Sequence, residues 1–141
     1  MIEITKVERP RIKVALDNGA YMPERAHAFD AGMDLKTPIG AYVCGHDSTV
    51  IDTGVHVEIP EGYVGMLKSK SGLNVNDGIT SEGVIDAGYT GSIKVKLYNH
   101  SQNTKEFSRG DKITQLVVMP CMLCDCEQVP ADEIEGERGD N

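Results

Sequence analysis

Apolar and polar residues alternate along most of this chain, in short runs separated by glycine, proline and asparagine. A period of two puts every second side chain on the same face, which is typical of half-buried β-strands. We expect a further strand to begin at Phe107, after a loop from Asn99 to Lys105. Alternation is clear in residues 2–7, 12–16 and 93–99, and the other segments predicted as strands are 50–54, 55–59, 63–67 and 113–119.

Turn-forming residues mark the ends of these runs, in a chain with 15 glycines and 6 prolines. The sequence predicts a short helical turn from Leu73 to Gly78 and no long helix. Roughly ten short strands predict one all-β domain, built as a sandwich or a barrel. The acidic, glycine-containing residues from Ala131 onwards predict a mobile arm. The expected organisation is a β domain over residues 1–130 and an arm over residues 131–141.

Composition limits both the core and the partners. Apolar residues make up 40% of the chain but aromatic residues only 5%, so the core must consist of Val, Ile, Leu, Ala and Met. No apolar run could cross a bilayer and no signal-sequence pattern follows Met1, which predicts a soluble, cytoplasmic protein without a membrane partner. A net charge of −8 argues against nucleic acid, although local lysines or a divalent cation would still accept a small phosphate ligand.

Three of the four cysteines lie close together, in the pattern Cys121-x-x-Cys124-x-Cys126. A tetrahedral zinc site needs a second pair of ligands, and no other CxxC or HxxxH pattern supplies one. Cys124 and Cys126 have the spacing of neighbours on one face of a strand. We therefore expect reduced, structural thiols rather than metal ligands.

The stretch from Gly83 to Gly91 is the strongest candidate for chemistry, with three glycines in nine residues. Glycine adopts positive φ at no steric cost, so we expect a tight hairpin tip that brings backbone N–H and C=O groups against a flat ligand. Asp86 would then act on a water or a metal ion, and Tyr89 would pack on a ring or a sugar. A purely structural hairpin with a solvated aspartate explains the same residue types.

Four other polar features stand out. The segment Lys68–Leu73 contains two cations, two hydroxyls and a glycine, which suits an anion-binding turn, with an ordinary polar loop as the alternative. Asp34 is either a carboxylate held at a strand edge or a turn cap. Gln115 interrupts an apolar run, so it is either an edge residue or a buried amide with partners. His56 lies opposite the apolar face of its strand, which predicts a solvated histidine rather than a catalytic one.

Taken in order, these pieces resemble the five sequence motifs of the trimeric dUTP diphosphatases (dUTPases). The resemblance implies a distorted jelly-roll (β-clip) protomer, a homotrimer with sites between subunits, and Mg²⁺-assisted hydrolysis of dUTP to dUMP and pyrophosphate. In the family this reaction limits uracil incorporation into DNA and supplies dUMP for dTMP synthesis. The matching segments are Ala31-Gly32-Met33-Asp34-Leu35, Lys70-Ser71-Gly72-Leu73, Gly83-Val84-Ile85-Asp86-Ala87-Gly88-Tyr89-Thr90-Gly91, Gly110-Asp111-Lys112-Ile113-Thr114-Gln115-Leu116 and Glu137-Arg138-Gly139-Asp140.

The resemblance also implies roles for the residues of the third motif. Asp86 would be the general base that activates the water attacking the α-phosphate. The backbone of Gly83, Val84 and Ile85 would bind the edge of uracil. Tyr89 would pack under the deoxyribose and leave no room for a 2′-hydroxyl.

The other motifs would handle the triphosphate and its metal ion. Asp34 would position Mg²⁺ through the water shell of the ion. Arg138 would reach the triphosphate from the mobile arm and close the site. The residues implied to bind the phosphates are Lys70, Ser71, Gly72, Gln115 and Arg138. Lys94 is a further residue implied to bind the substrate.

The sequence departs from the family pattern in two ways. Lys70 and Lys112 stand where arginine is usual, which loses a bidentate fork but keeps a positive charge. The fifth motif of the family continues with a Gly-Phe-Gly-Ser-Thr-Gly-like segment that covers the base, whereas this sequence ends at Asn141. Either that segment lies outside this sequence or the protein lacks it. In the second case we expect substrate to bind and turnover to fall sharply.

Two other functions remain open. A dCTP deaminase of the same superfamily would need a glutamate as acid and base, for which Glu82 is the nearby candidate, but Asp86 with Tyr89 fits the diphosphatase better. A dUTP-sensing module that binds a regulatory protein would bind the nucleotide without hydrolysing it. A site assembled for binding alone would not require Asp86.

Overall fold

The structure is a computed structural model that describes residues 8–139. Within that range the chain forms ten β-strands, a short helix α1 (Ser71–Asp77) and a 3-10 turn (Ala131–Glu133). The strand predicted over residues 2–7 lies outside the described residues. The strands are β1 (Val14–Leu16), β2 (Met33–Lys36), β3 (Ala41–Val43), β4 (Ser48–Asp52), β5 (Val55–Val57), β6 (Tyr63–Lys68), β7 (Ile79–Ile85), β8 (Lys94–Asn99), β9 (Lys105–Phe107) and β10 (Lys112–Pro120).

The strands pair antiparallel in one large sheet and two small ones. The large sheet has six strands in the order β2-β10-β6-β7-β8-β4, while β1 pairs with β5 and β3 with β9. Neighbours in the large sheet are distant in sequence at both edges, because β10 returns to lie between β2 and β6 and β8 returns to pair with β4. The curled sheets enclose a hydrophobic core, which confirms the predicted all-β, jelly-roll-like fold.

Alternation along the strands builds this core. On β8, Val95, Leu97 and Asn99 are buried, and the residues between them are exposed. Removing each such apolar side chain from water stabilises the fold by about 1.5–3 kcal/mol. Except for Phe107, the buried apolar side chains are all Val, Ile or Leu, as the composition predicts. These residues are Leu35, Val43, Ile51, Val55, Val57, Ile59, Leu67, Ile79, Ile85, Ile93, Val95, Leu97, Phe107, Ile113 and Leu116.

The predicted hairpin tip differs from the structure. Strand β7 continues through Gly83 to Ile85, where it pairs with β6, so the turn itself spans residues 86–93. Positive φ does not occur at Gly83, Gly88 or Gly91. The prediction that left-handed glycines bend this segment is therefore wrong. Gly91 is needed for another reason, because a Cβ there would lie 2.6 Å from the hydroxyl oxygen of Tyr89.

Two other boundaries also differ from the predictions. The helix α1 begins two residues before Leu73, and it ends at Gly78, whose φ of 69° gives a left-handed C-cap. Strand β9 ends at Phe107 rather than beginning there, because Phe107 pairs with Ala41 at the start of β3. The polar residues before Phe107 are thus part of the strand and not of a loop.

Beyond β10 the chain is extended and mostly exposed. Residues 121–130 have no regular secondary structure, so the strand predicted for Cys124 and Cys126 is wrong, and both side chains are exposed. All four cysteines are free thiols. Residues 131–139 are exposed throughout, and the division of the chain at residue 130 stays a prediction. In the part of the chain that is described, no helix has the length and apolar character to span a membrane.

Candidate active site

A buried carboxylate lies between two lysines at one edge of the large sheet. Asp34 on β2 has a side chain only 3% exposed, and its Oδ1 accepts a hydrogen bond from Lys70 Nζ at 2.5 Å. Its Oδ2 lies 3.2 Å from Lys112 Nζ at the start of β10. The three charged groups therefore meet from three different elements and carry a net positive charge. This resolves the sequence alternatives for Asp34, which is a held carboxylate and not a turn cap.

The pKa of Asp34 reflects these opposing influences. Burial raises the pKa of the carboxyl group, whereas the hydrogen bonds and positive charges of Lys70 and Lys112 lower it. The lysines prevail, and the pKa lies below its ordinary value of 3.8. Asp34 is therefore ionised at neutral pH, and both lysines are held with their ammonium groups directed at one point.

Gln115 lies on β10, three residues after Lys112, and extends this cluster along the strand. It lies opposite Asp34 in the β2–β10 register, and its Nε2 donates to the backbone carbonyl of Ser69 at 3.0 Å. Gly32 packs directly on the amide, because a Cβ at Gly32 would fall 2.1 Å from Gln115 Oε1. The half-buried amide with a partner is the correct alternative for Gln115. We call Asp34, Lys70, Lys112 and Gln115 the lysine–aspartate cluster.

Hydrogen-bonded hydroxyl groups connect the strands next to the lysine–aspartate cluster. Ser81 and Thr114 are buried, their side-chain oxygens are 2.7 Å apart, and Thr114 Oγ1 donates to the carbonyl of Lys68 at 2.9 Å. The hydroxyl of Ser69 accepts from the N–H of Ser81 at 3.0 Å. These bonds join β6, β7 and β10 just where the chain leaves the sheet towards α1. Sequence reasoning missed this network, although two adjacent polar residues inside the apolar run of β10 could have indicated it.

The first turn of α1 presents exposed donors beside the cluster. Lys70 is the N-cap residue, and Ser71 and Gly72 are exposed at the first two helical positions. A Cβ on Gly72 would meet nothing within 4 Å, so no side chain covers this face of the helix start. Hydroxyl, backbone N–H and ammonium donors in one place suit an anion.

The second group of candidate residues lies where β7 and β8 stop pairing with each other. The two strands pair only from Ile79 to Ser81, opposite residues 97–99, and the second half of β7 pairs with β6 instead. Among the described residues, no strand pairs with the other edge of residues 82–85. Successive residues of a strand direct their N–H and C=O groups to opposite edges. Only alternate residues of the segment Gly83–Ile85 therefore present these groups on that other edge, where they are available to a flat ligand.

Tyr89 is held at the tip of this gap. Its N–H donates to the carbonyl of Asp86 at 3.0 Å, and its hydroxyl donates to the carbonyl of Ser92 at 2.7 Å. The ring lies over Gly91 and remains 41% exposed. The side chain of Asp86 is exposed as well. We call Gly83, Val84, Ile85, Asp86 and Tyr89 the hairpin group.

The structure does not bring the two groups together within one chain. In the β6–β7 register Lys68 lies opposite Glu82 and Gly65 opposite Ile85, so Asp86 and Lys70 lie beyond opposite ends of the pair. At a rise of about 3.3 Å per residue, the separation along the strands is roughly 20 Å.

Apart from Ser71 and Gly72, which lie beside the lysine–aspartate cluster, two predicted residues belong to neither group. Lys94 is exposed at the start of β8, opposite Asp52 on β4. Arg138 is exposed in the C-terminal segment and makes no hydrogen bond or ion pair with the rest of residues 8–139. The same range contains no set of three or more His, Cys, Asp or Glu side chains that could hold a metal ion.

Comparison with known proteins gives a consistent result. The dUTPase family model matches residues 18–140. The deoxyuridine 5′-triphosphate nucleotidohydrolase of Tropheryma whipplei (strain Twist) is 40% identical over 125 residues, which cover 86% of this chain and 84% of that protein. The enzyme of the same name from Nocardia farcinica is 41% identical over 118 residues, which cover 81% of this chain and 72% of that protein.

Solved structures agree with the sequence relatives. A point mutant of the dUTPase from phage phi11 of S. aureus, described with a structural Mg(II) ion, has a TM-score of 0.81 and 31% identity, covering 89% of this chain and 100% of that one. The dUTPase of Staphylococcus bacteriophage 80alpha with dUpNHpp has a TM-score of 0.85 and 30% identity, covering 93% and 95%. The match of fold, motifs and sequence along most of its length makes this chain a member of the dUTPase family.

Proposed function

We propose that this protein hydrolyses dUTP to dUMP and pyrophosphate at a site that the hairpin group of one subunit forms with the lysine–aspartate cluster of another. The observation that carries the proposal is the separation of the two groups along β6 and β7. A nucleoside triphosphate whose base and sugar bind at the hairpin of one chain cannot have its phosphates beside Lys70 of the same chain. A closed homotrimer would place the cluster of a second chain next to each hairpin.

The reaction needs a base close to the α-phosphorus. Asp86 is exposed next to the open edge of β7, so its carboxylate is free to take a proton from a water molecule. The oxygen of that water bonds to the α-phosphorus as the bond from phosphorus to the bridging α–β oxygen breaks. Pyrophosphate leaves with that oxygen, and dUMP keeps the oxygen from water.

Recognition of the nucleoside would fall to the rest of the hairpin group. Alternate residues of the segment Gly83–Ile85 offer backbone donors and acceptors along the edge of β7 that has no strand partner among the described residues, which suits the edge of uracil. The ring of Tyr89 packs over Gly91 while its hydroxyl donates to Ser92, and its outer face is free to pack against deoxyribose. A rigid surface of this kind rejects an added hydroxyl by steric exclusion and by leaving polar groups unpaired.

The phosphates would bind at the cluster. Lys70, Ser71 and Gly72 present ammonium, hydroxyl and N–H donors, and Gln115 fixes the backbone from which they project. Such donors stabilise the charge that develops on the leaving pyrophosphate. Lys112 adds a second cation within the same cluster. Lys94 and Arg138 are assigned to the substrate by the family resemblance alone.

The residues present fit Mg²⁺ only in a supporting role. The ion prefers oxygen ligands and commonly keeps several waters while binding substrate phosphates. Asp34 supplies one carboxylate, but both of its oxygens are already engaged by lysines, so it would hold the ion through water. Bound with the triphosphate, Mg²⁺ supplies neutralisation of phosphate charge. The protein orients the nucleotide and handles the proton at Asp86.

The experiment that tests this proposal compares Asp86→Asn with Glu82→Gln. We expect the wild type and Glu82→Gln to release pyrophosphate from dUTP in the presence of Mg²⁺, and Asp86→Asn to lose about 10²–10⁴-fold in rate. Ammonia release from dCTP that depends on Glu82 would favour a deaminase instead. Tight binding of dUTP without any hydrolysis by the wild type would favour a nucleotide sensor that acts on a regulatory protein.

A further inference from the structure

His56, which lies outside the five family motifs, forms a link between two loops. Its Nδ1 lies 2.8 Å from the carbonyl oxygen of Thr90, and its Nε2 lies 2.9 Å from Asp17 Oδ1. Thr90 directly follows Tyr89 in the hairpin turn, and Asp17 lies on the connection after β1. The imidazole therefore joins the tip of the hairpin to a second loop across β5. The side chain is 30% exposed, and the predicted solvated histidine also has two hydrogen-bond partners that the sequence did not predict.

The end of this turn at Ile93 is also held, by residues close to His56 in sequence. The N–H of Ile93 donates to the carbonyl of Val55 at 2.8 Å, and the carbonyl of Ile93 accepts from Thr53 Oγ1 at 2.7 Å. His56 is the next anchor outward, three residues closer to the tip. We infer that His56 is a positioning residue, which fixes the turn at Thr90 so that the ring of Tyr89 stays aligned for the sugar of the substrate.

The two partners of His56 require a particular protonation state. A backbone carbonyl and a carboxylate both accept hydrogen bonds and donate none. A neutral imidazole has a single N–H, so it can satisfy only one of them, whereas the imidazolium donates to both. The hydrogen bond to Thr90 and then the hydrogen bond to Asp17 raise the pKa of His56 above its ordinary value of 6.5.

The charged groups around His56 favour the same state. Asp17 faces it from the loop after β1, and Asp52 acts on it from the end of β4. The N–H of Gly54 donates to Asp52 at 3.0 Å, and the positive charge of Lys94 on β8 also acts on Asp52. The imidazolium therefore makes both hydrogen bonds at pH values below the pKa of free histidine. The link between the two loops is lost as the pH rises through the raised pKa of His56 in the folded protein. We expect the KM for dUTP to rise over that interval while kcat changes little.

Two amide variants separate the contacts of the ring. Asparagine places its Nδ2 near the position of the imidazole Nδ1 and can still donate to Thr90, whereas glutamine reaches the Nε2 position on the side of Asp17. We expect His56→Gln to raise the KM for dUTP about threefold to tenfold and to narrow the preference for dUTP over UTP. His56→Asn should keep a KM close to that of the wild type and lose its dependence on pH.

The controls address stability and protonation separately. His100 bonds to the hydroxyl of Thr80 just beyond the far end of β8, so His100→Gln should leave the KM and its pH profile unchanged. Asp17→Asn removes the carboxylate and should shift the rise in KM to lower pH. Thermal unfolding of each variant shows how much of an effect is structural, and the ring ¹⁵N signals of His56 in the wild type report whether both nitrogens are protonated.

The inference rests on the proposed function, and its failure can be told apart from the failure of that function. A wild type without dUTP hydrolysis would overturn the function. With hydrolysis present, the role of His56 is refuted by a KM that does not change with pH. It is equally refuted by Asn and Gln variants that raise the KM to the same extent, or by ring signals of a neutral imidazole at pH values below 6.5.

Discussion

Lys70 Nζ and Asp34 Oδ1 lie 2.5 Å apart although 36 positions separate the two residues in sequence. The carboxylate is buried, and the lysine side chain is 27% exposed. The ion pair therefore ties the start of α1 to the edge strand β2 while it leaves the ammonium group accessible to a ligand. An anion that binds Lys70 must share it with Asp34, so the carboxylate determines where the lysine points.

The first prediction concerns the stability that Asp34 provides. Asp34→Asn removes the charge that two lysines face, and we expect the free energy of unfolding at neutral pH to fall by about 1–3 kcal/mol. Because the pKa of Asp34 is lowered, its contribution is present above the unfolded pKa and is lost as the pH falls through the folded one. Chemical denaturation at pH values from neutral to below 3.8 should therefore show that acid lowers the free energy of unfolding less in the variant than in the wild type. Equal losses in both proteins would contradict this account.

The second prediction concerns the contact of Gly32 with Gln115. Gly32→Ala would put a Cβ 2.1 Å from the amide oxygen of Gln115, and we expect a destabilisation of about 1–3 kcal/mol by overpacking. Gly72→Ala is the matched control, because nothing lies within 4 Å of a Cβ there and alanine favours the helix.

Shortening the glutamine tests the cause of that effect. In the double variant Gly32→Ala with Gln115→Ala, the clash with the amide is removed, so part of the lost stability should return. Thermal unfolding of the two single variants and the double variant measures this coupling. If the stability losses of the two single variants simply add up in the double variant, the clash is not with the amide.

The third prediction separates the ring of Tyr89 from its hydroxyl. Tyr89→Ala should abolish most of the discrimination between dUTP and UTP, because the surface under the sugar is lost. Tyr89→Phe keeps the ring over Gly91 and loses only the hydrogen bond to Ser92. The ratio of kcat/KM for the two nucleotides should therefore change little in the phenylalanine variant. Unchanged selectivity in Tyr89→Ala would refute the packing role.

The fourth prediction tests whether sites are shared between subunits. Asp86→Asn damages the hairpin group and Lys70→Met damages the lysine–aspartate cluster, so each variant alone should be nearly inactive. When the two are unfolded, mixed in equal amounts and refolded, random assortment in a trimer should restore about a quarter of the sites. Pyrophosphate release from dUTP measures the recovery. Mixing without unfolding is the control, and a refolded mixture no more active than its parents would show that each site lies within one chain.

Much of the fold could be predicted from local pattern. Strand β8 follows directly from alternation, strand β10 follows from a long apolar run, and the glycine after α1 marks the end of the helix. A turn between β7 and β8 was predicted, but it spans residues 86–93 rather than beginning at Gly83, and its conformation differs from the prediction. Its glycines were expected to supply positive φ, whereas Gly91 instead makes room for the ring of Tyr89. A glycine in a sequence does not say whether the backbone or a neighbouring side chain requires it.

What the sequence by itself determined was the β class, the family and the identity of the candidate residues, because strand alternation and motif spacing are local properties of the chain. Tertiary structure alone decided which of these residues meet. The two lysines at Asp34, the amide of Gln115 on Gly32 and the link from His56 to Thr90 all depend on strand order and register. Those are set by the burial of one face of every strand against a common core, which no short segment encodes.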